Sequence, residues 1–435
     1  MKIYTISGYE KVGGNMTAVE TNGKIVIFDM GADIERVVTQ DARLEEMKTV
    51  EAIESRVVPN DSKIKRRRKD VVAIVVGHGH QDHCRAIPKL AGAYDCPIIA
   101  TPYTADIIER FIENDREYVK NRVIRMEAGD TFQISNDFEL EFVDMTHSIP
   151  HAVLSVLRTE EGTIVYSLDF KLDENPTLGK PVDYDGIKTL GEEGVKAYIA
   201  DCTRSDESGK TKPEIDTKIK LRKILSESND ARNGIVITTF SSNIARLNNI
   251  IEANAGRRKI VLLGRSLKEY TEDAEENGLI DLSGVEVVSY QEKVESTLKE
   301  ISKNKAGYLL VTTGNQGEPN AILSRIAEGE YSFSVGDRDL VIFSSVTIPT
   351  PINELNRENL KRKLVQRGAD IEVDVHSHGH AKKEDQRNMI KMLGPEMVIP
   401  AHGGRGKLSS CAKIAREEGV DSVLVSRNNG EISPN

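Results

Sequence analysis

Nine histidines occur in this chain of 435 residues, and all of them fall in four short windows. The windows are His78, His80 and His83; His147 and His151; His376, His378 and His380; and His402. Scattered surface histidines do not account for such clustering, so the residue type serves one purpose here. Imidazole and carboxylate are borderline ligands that suit zinc or manganese, and catalytic sites leave a coordination position open to water. The segment His78-Gly79-His80-Gln81-Asp82-His83 follows the apolar run Val71–Val76 and precedes a helical pattern at Arg85–Leu90. It therefore belongs on a loop at the C-terminal end of a strand. Alternation points His78 and His80 to one side, and a tight turn into the helix aims Asp82 and His83 at a second point a few ångströms away. Two cations ~3.5–4 Å apart would clamp the attacking and leaving oxygens of an in-line phosphoryl displacement.

The other candidates also close apolar runs: Asp29 after Lys24–Phe28, His147 after Leu140–Val143, Asp169 after Ile164–Ser167 and His402 after Met397–Ile399. Such runs, each ending in polar or Gly residues, read as strands that end in functional loops. The first 200 or so residues suggest a mixed sheet with interspersed helices. From about Ser205, strands at Ile235–Thr238, Ile260–Leu263, Leu309–Thr312 and Leu340–Phe343 alternate with helical stretches, as in a parallel sheet covered on both faces. After Asn353 the rhythm changes again: strand Ile371–Val375, helix Ala381–Leu393, strand Met397–Ile399, helix Ser409–Glu418 and strand Val423–Ser426. Residues 35–70 are charged and poorly periodic, an irregular insertion. Within them, Lys63–Lys69 carries six basic residues in seven, either a solvated loop paired with nearby acids or an arm that contacts a polyanion.

Composition narrows the class. At roughly 150 residues per domain the length suggests two or three domains. Apolar runs never approach the ~18 positions of a membrane span, so a membrane partner is not expected. Met1–Ile6 reads directly into a strand with no charged-then-apolar leader, and the expectation is a cytoplasmic protein. Cys84, Cys96, Cys202 and Cys411 show no CxxC spacing and read as reduced, buried small hydrophobes. With 59 Lys+Arg against 69 Asp+Glu, the net charge is −10. Bulk electrostatics would repel a polyanion, which must then be held by a local basic channel or by metal ions.

Phe28-Asp29, His78-x-His80-x-Asp82-His83, His147 and Asp169 are similar, in order and spacing, to the four metal motifs of the metallo-β-lactamase superfamily. Asp201-Cys202-Thr203 resembles motif A of the β-CASP nucleases, His376-Ser377-His378-Gly379-His380-Ala381 their motif B, and Ile399-Pro400-Ala401-His402-Gly403 their motif C. The whole chain resembles the ribonuclease J family, in the compact form without the additional C-terminal domain of many bacterial members. The fold this implies is α/β: a metallo-β-lactamase αββα sandwich with an inserted β-CASP domain built on a parallel sheet. Residues 1–204 and 353–435 would form the first domain and 205–352 the second.

The resemblance implies two zinc ions per chain, with manganese the alternative. His78, His80 and His147 would hold one ion, and Asp82, His83 and His402 the other. Asp169 would bridge them, and Asp29 would orient the attacking water or a ligand. His380, positioned by Asp201, would stabilise the transition state or protonate the leaving 3′-oxygen. A histidine at motif C goes with RNA-acting members, so single-stranded RNA is the expected substrate, cut 5′→3′ from a 5′-monophosphate. Ser242, Arg265, Ser266, His376 and His378 would bind that phosphate, and Gly314, Gln316 and Glu318 would border a phosphate or base. A homodimer is implied in the same way. His378 stands where relatives usually have Ser, and His151 where an acid is common. The competing readings are a mainly endonucleolytic processor of the polyadenylation-factor type and a catalytically silent RNA-binding β-CASP subunit. A glyoxalase-type small-molecule hydrolase is disfavoured by the inserted domain and motifs A to C.

Overall fold

A computed structural model describes residues 1–40, 42–228, 234–348 and 350–434. The chain divides into two compact units, one made of Met1–Glu174, Lys180–Thr211 and Gly379–Asn435 and the other of Asn175–Gly179 and Lys212–His378.

The first unit contains two seven-stranded sheets. One runs Gly430–Ile432, Lys2–Ser7, Met16–Thr21, Lys24–Phe28, Val71–Val76, Ile98–Ala100, Val123–Arg125. The other runs Ser422–Val423, Met397–Ala401, Ala197–Asp201, Gly162–Ser167, Val153–Thr159, Phe138–Asp144, Thr131–Ser135. Side chains of a strand alternate between faces, and the strand Ala197–Asp201 uses both. Ala197 and Ile199 enter the core between the sheets, with Phe28, Val75, Phe142 and Ile399. Tyr198 and Ala200 turn to the outer face and pack on Ile187, Met389, Leu408 and Ile414. Those four residues come from the helices Tyr184–Glu193, Lys383–Leu393 and Arg405–Glu417. Helix Pro102–Glu113 lies on the other sheet, which completes the αββα layering. A strand buried on both faces must be apolar throughout, and that requirement produced the short continuous apolar runs.

The second unit is built on a six-stranded sheet whose every pairing is parallel: Val285–Val288, Lys259–Leu263, Tyr308–Thr312, Ile235–Thr238, Leu340–Phe343, Asp370–Glu372. Its last strand corrects the expected boundary. Asp370–Glu372 pairs with Leu340–Phe343, and Leu360 and Leu364 of helix Pro351–Gln366 enter the core of this unit. The chain therefore returns to the first unit at Gly379 rather than at 353. The strand expected at Ile371–Val375 is shorter, and the helix expected from Ala381 begins at Lys383.

Residues 35–70 form short helices, Ile34–Thr39 and Thr49–Glu54, joined by 3₁₀ turns. The basic run is itself largely a 3₁₀ helix, Lys65–Asp70, rather than an arm. Arg67 is held by Glu20 and Asp70, and Arg68 by Asp61; Lys63, Lys65, Arg66 and Lys69 remain exposed.

Candidate metal centre

Parallel strands release their chains at the same end of a sheet, and the first unit uses this to collect ligands. Val71–Val76 leads to His78, Gly162–Ser167 to Asp169, Ala197–Asp201 ends on Asp201, and Met397–Ala401 leads to His402. Three of the residues just past strand ends, Asp29, Asp169 and His402, have positive φ of 59°, 65° and 55°. Left-handed backbone costs a non-glycine residue roughly 1–2 kcal/mol, and such conformations gather at functional sites. Gly31 is required by the same crowding: a Cβ there would lie 1.5 Å from the carbonyl oxygen of Asp82.

The histidine ring nitrogens converge on one carboxylate. Asp169 Oδ2 lies 3.3 Å from His78 Nε2, 3.3 Å from His83 Nε2, 3.5 Å from His147 Nε2 and 4.0 Å from His80 Nδ1. Asp169 Oδ1 lies 3.1 Å from His402 Nε2. Despite this closeness, neither Asp169 Oδ1 nor His78 Nε2 has a hydrogen-bond partner, and both are buried. Buried polar atoms left without partners are rare and call for a missing ion or water. The donor set has the right chemistry for cations. His78, His80, His147 and Asp169 form one group whose ligand atoms lie within 4.8 Å of one another, and Asp82, His83, Asp169 and His402 form a second.

Groups behind the ligands decide which nitrogen faces inward. His147 Nδ1 donates to the carbonyl of Gly379 at 2.8 Å, so its Nε2 lone pair faces the cluster. A Cβ at position 379 would lie 2.6 Å from that ring. His83 Nδ1 donates to Asp29 Oδ2 at 2.7 Å, and Tyr166 OH donates to the same oxygen at 2.8 Å. Asp29 thus fixes the orientation of the His83 ring. His380 Nδ1 is 3.0 Å from Asp201 Oδ2, and Asp201 Oδ1 is tied to the backbone N–H and hydroxyl of Thr203.

Charge states follow burial and neighbours. Burial, helped by the imidazole of His83, pushes His78 down to about 4, and burial with the His80 ring pushes His147 well below the usual histidine range. Both imidazoles are neutral at neutral pH. For His83, burial acts downward but the carboxylates of Asp169, Asp82 and Asp29 outweigh it, and its pKa rises well above normal. For His380 burial is likewise overcome, by Asp169 and Asp201, and the value rises to about 9. Asp169 is driven well below the carboxylate range: burial opposes this, and His402, His83 and His380 prevail.

All ten residues expected at the metal centre and beside it are therefore gathered within the first unit. Asn15 and Tyr166 were missed. Asn15 is fully buried and touches Asp82, His83 and His402, but a lone Asn after two glycines carries no local signal. Tyr166 looks in sequence like any strand aromatic. His151 is used elsewhere, its Nδ1 accepting from the N–H of Tyr103 at 3.3 Å. The four cysteines are buried and unbridged.

The residues expected to bind phosphate belong to the second unit. Ser241 Oγ and Ser266 Oγ are 2.8 Å apart, joining the loop after Ile235–Thr238 to the first turn of helix Arg265–Glu276; Ser242 is the residue after Ser241. The Arg265 side chain is 78% exposed, with only a 3.9 Å contact to Glu269. His376 lies edge-on to His378 at 4.9 Å, and its Nδ1 accepts from Arg246 at 3.2 Å. In the loop after Tyr308–Thr312, Gly314 has φ 105°. Gln316 is committed at both ends of its amide, to the carbonyl of Val346 and the N–H of Ile348, each at 2.8 Å. Glu318 Oε2 accepts from the N–H of Gln316 at 3.0 Å. These two side chains shape their own loop.

Two facing sheets whose strand ends carry a His/Asp cluster, in a chain interrupted by a parallel-sheet unit, define a metallo-β-lactamase-type hydrolase with a β-CASP domain. Family models agree: metallo-β-lactamase superfamily over residues 9–190, ribonuclease J β-CASP domain over 232–360, and Zn-dependent metallo-hydrolase RNA specificity domain over 365–425. The chain is 42% identical to ribonuclease J of Pyrococcus abyssi over 98% of its own length and 96% of the relative's. It is 41% identical to ribonuclease J of Methanocaldococcus jannaschii over 96% and 95%. A solved protein of unknown function from Enterococcus faecalis shares the fold, with a TM-score of 0.69 at 17% identity and 99% coverage of both chains. This chain belongs to the ribonuclease J family.

Proposed function

We propose that the chain is a metal-dependent ribonuclease holding two zinc ions, with manganese the alternative, and that it degrades single-stranded RNA 5′→3′ from a 5′-monophosphate end. The observation that carries this is the sharing of Asp169 between the group of His78, His80 and His147 and the group of Asp82, His83 and His402, which otherwise have no member in common; a third group, Asp169, Asp201, His380 and His402, overlaps the second at His402. His78, His80 and His147 would hold one ion with Asp169; Asp82, His83 and His402 would hold the other with it. Bound divalent cations supply positive charge that acidifies water and neutralises phosphodiester oxygens.

The side chains do the rest by position. Asp29 and the Gly379 carbonyl keep His83 and His147 turned inward. Water attacks phosphorus in line, the P–O3′ bond breaks, and His380 delivers the proton to the leaving oxygen from Nε2, its Nδ1 being held by Asp201. The water's proton returns to His380 or to solvent, and the products are a 5′-phosphate and a 3′-hydroxyl. Hydroxyl, guanidinium and imidazole donors at Ser242, Ser266, Arg265, His376 and His378 suit a terminal phosphate, which would start the enzyme at that end. No helix among the described residues is long and apolar enough to cross a membrane. A homodimer, by family resemblance, and a cytoplasmic location belong to the same proposal, and sedimentation at the mass of one chain removes the dimer from it.

The test is end-labelled RNA carrying a 5′-monophosphate, triphosphate or hydroxyl, digested with and without a chelator. The proposal expects mononucleotides from the monophosphate substrate alone, and none after chelation. Internal fragments whatever the 5′ end would make the enzyme an endonuclease, and binding without cleavage would make it a silent subunit.

A further inference from the structure

Asn15 joins ligands drawn from distant parts of the chain. Its Nδ2 donates to the carbonyl oxygen of Asp82 at 3.0 Å, and its backbone N–H donates to the same oxygen at 3.0 Å. A carbonyl oxygen can only accept, so this contact fixes which end of the amide is nitrogen. Oδ1 is then the atom 2.9 Å from His402 Nδ1. An amide oxygen also only accepts, so His402 carries its proton on Nδ1 and keeps the lone pair on Nε2, 3.1 Å from Asp169 Oδ1. The N–H of Gly13 also points at His402 Nδ1, at 3.4 Å; it would need the opposite tautomer, and the bond to Asn15, shorter by half an ångström at 2.9 Å, prevails. The same Nδ2 sits 3.1 Å from His83 Nε2. One fully buried amide thus touches all three residues that, with Asp169, form the second ligand group, and none unique to the first.

We infer that Asn15 is a positioning residue for one metal only: it selects the His402 tautomer and sets the Asp82 turn so that the site of Asp82, His83 and His402 is ready-made, while the site of His78, His80 and His147 does not depend on it. The inference rests on the two-metal reading above. Removing a partner behind a metal ligand typically weakens affinity about 10–100-fold. Because the Asn15 backbone bonds to Asp82 and Gly31 survive a side-chain change, the chain around residue 15 should keep its course, and what a substitution removes is the second bond to the Asp82 carbonyl and the contacts with His402 Nδ1 and His83 Nε2.

The test is zinc content of the full chain, dialysed against buffers of graded free Zn2+ and counted by mass spectrometry, for the parent protein, Asn15→Ala and Asn15→Asp. The parent should hold two zinc ions. Asn15→Ala should hold one as tightly as the parent and lose the other at about 10–100-fold higher free zinc. Asn15→Asp, which keeps an acceptor for His402 Nδ1, should recover part of that loss. A metal-free melting curve checks that each variant folds. Two ions bound with parental affinity by Asn15→Ala, or both weakened equally, overturns the inference. A parent that never takes up a second ion overturns the two-metal reading, and the inference with it.

Discussion

Asp169 in the first unit and Arg246 in the second are both charged and both buried, yet they are treated in opposite ways. Arg246 spends its donors: Nε and Nη2 grip the two oxygens of Glu214 at 2.6 and 2.8 Å, and Nη1 reaches Ser344, the Val375 carbonyl and His376. Asp169 is ringed by imidazole nitrogens and still has an oxygen with no hydrogen bond. The first arrangement is complete as it stands, and the second leaves buried polar atoms unpartnered in a cluster compatible with a metal site. A buried charge whose valences are satisfied within the protein is structural, whereas one that leaves polar atoms unpartnered in its own cluster, as Asp169 Oδ1 and His78 Nε2 are, marks a site for something else.

The largest expected effect separates the two directly. Asp169→Asn keeps shape but removes the shared charge. Turnover should fall by at least about a thousand-fold, and the variant should lose zinc that the parent keeps when both are dialysed against the same free Zn2+. Parental zinc content and turnover in the variant would put Asp169 in the same structural class as Arg246. The converse is Arg246→Met, which strands Glu214 in the interior and should cost about 3–5 kcal/mol in denaturant unfolding without altering metal content. Loss of metal from that variant would break the contrast.

Asp201 occupies the boundary between the classes, because it is saturated on one oxygen and holds His380 with the other. Asp201→Asn should lower turnover about a hundred-fold and leave zinc stoichiometry alone. The sign of its pH effect is set by charge: Asp201 stabilises protonated His380, whose pKa is raised to about 9 with Asp169 and Asp201 overcoming burial. Without that carboxylate the proton is lost at lower pH, so the alkaline limb of the rate profile should move to lower pH. An unmoved limb would deny His380 the proton-donor role.

The smallest effects come from the basic run. Substituting exposed Lys63, Lys65, Arg66 and Lys69 with Ser should flatten the salt dependence of RNA binding by about one in log–log slope for each phosphate no longer neutralised, with stability unchanged. Arg67→Ala should do the reverse, costing up to about 1 kcal/mol through its partly exposed pairs with Glu20 and Asp70 and leaving the slope alone.

How far the centre could be read in advance depended on distance along the chain. His78, His80, Asp82 and His83 announce themselves because a strand and a turn set their geometry locally. Asn15 and Tyr166 were invisible because their partners lie 387 and 137 residues away. Gln316 and Glu318 were expected beside a phosphate or base by family resemblance; what no local pattern showed is that their side chains bond to their own loop and to residues 346 and 348, because a loop's backbone also needs partners. The domain boundary slipped for a related reason. Helix Pro351–Gln366 followed by strand Asp370–Glu372 has the α/β rhythm of either unit, and a three-residue strand whose two end residues are exposed does not say which sheet it will join.

The sequence by itself determined the inventory: which residues bear lone pairs suited to cations, and that each follows an apolar run able to become a buried strand. Both are short-range properties, written in residue type and in periods of two and 3.6. Only the tertiary structure decided which sheet received each strand, which nitrogen of each imidazole faces inward and which charges are left unpaired. Those outcomes come from packing and hydrogen bonding between segments hundreds of residues apart, which no local pattern encodes.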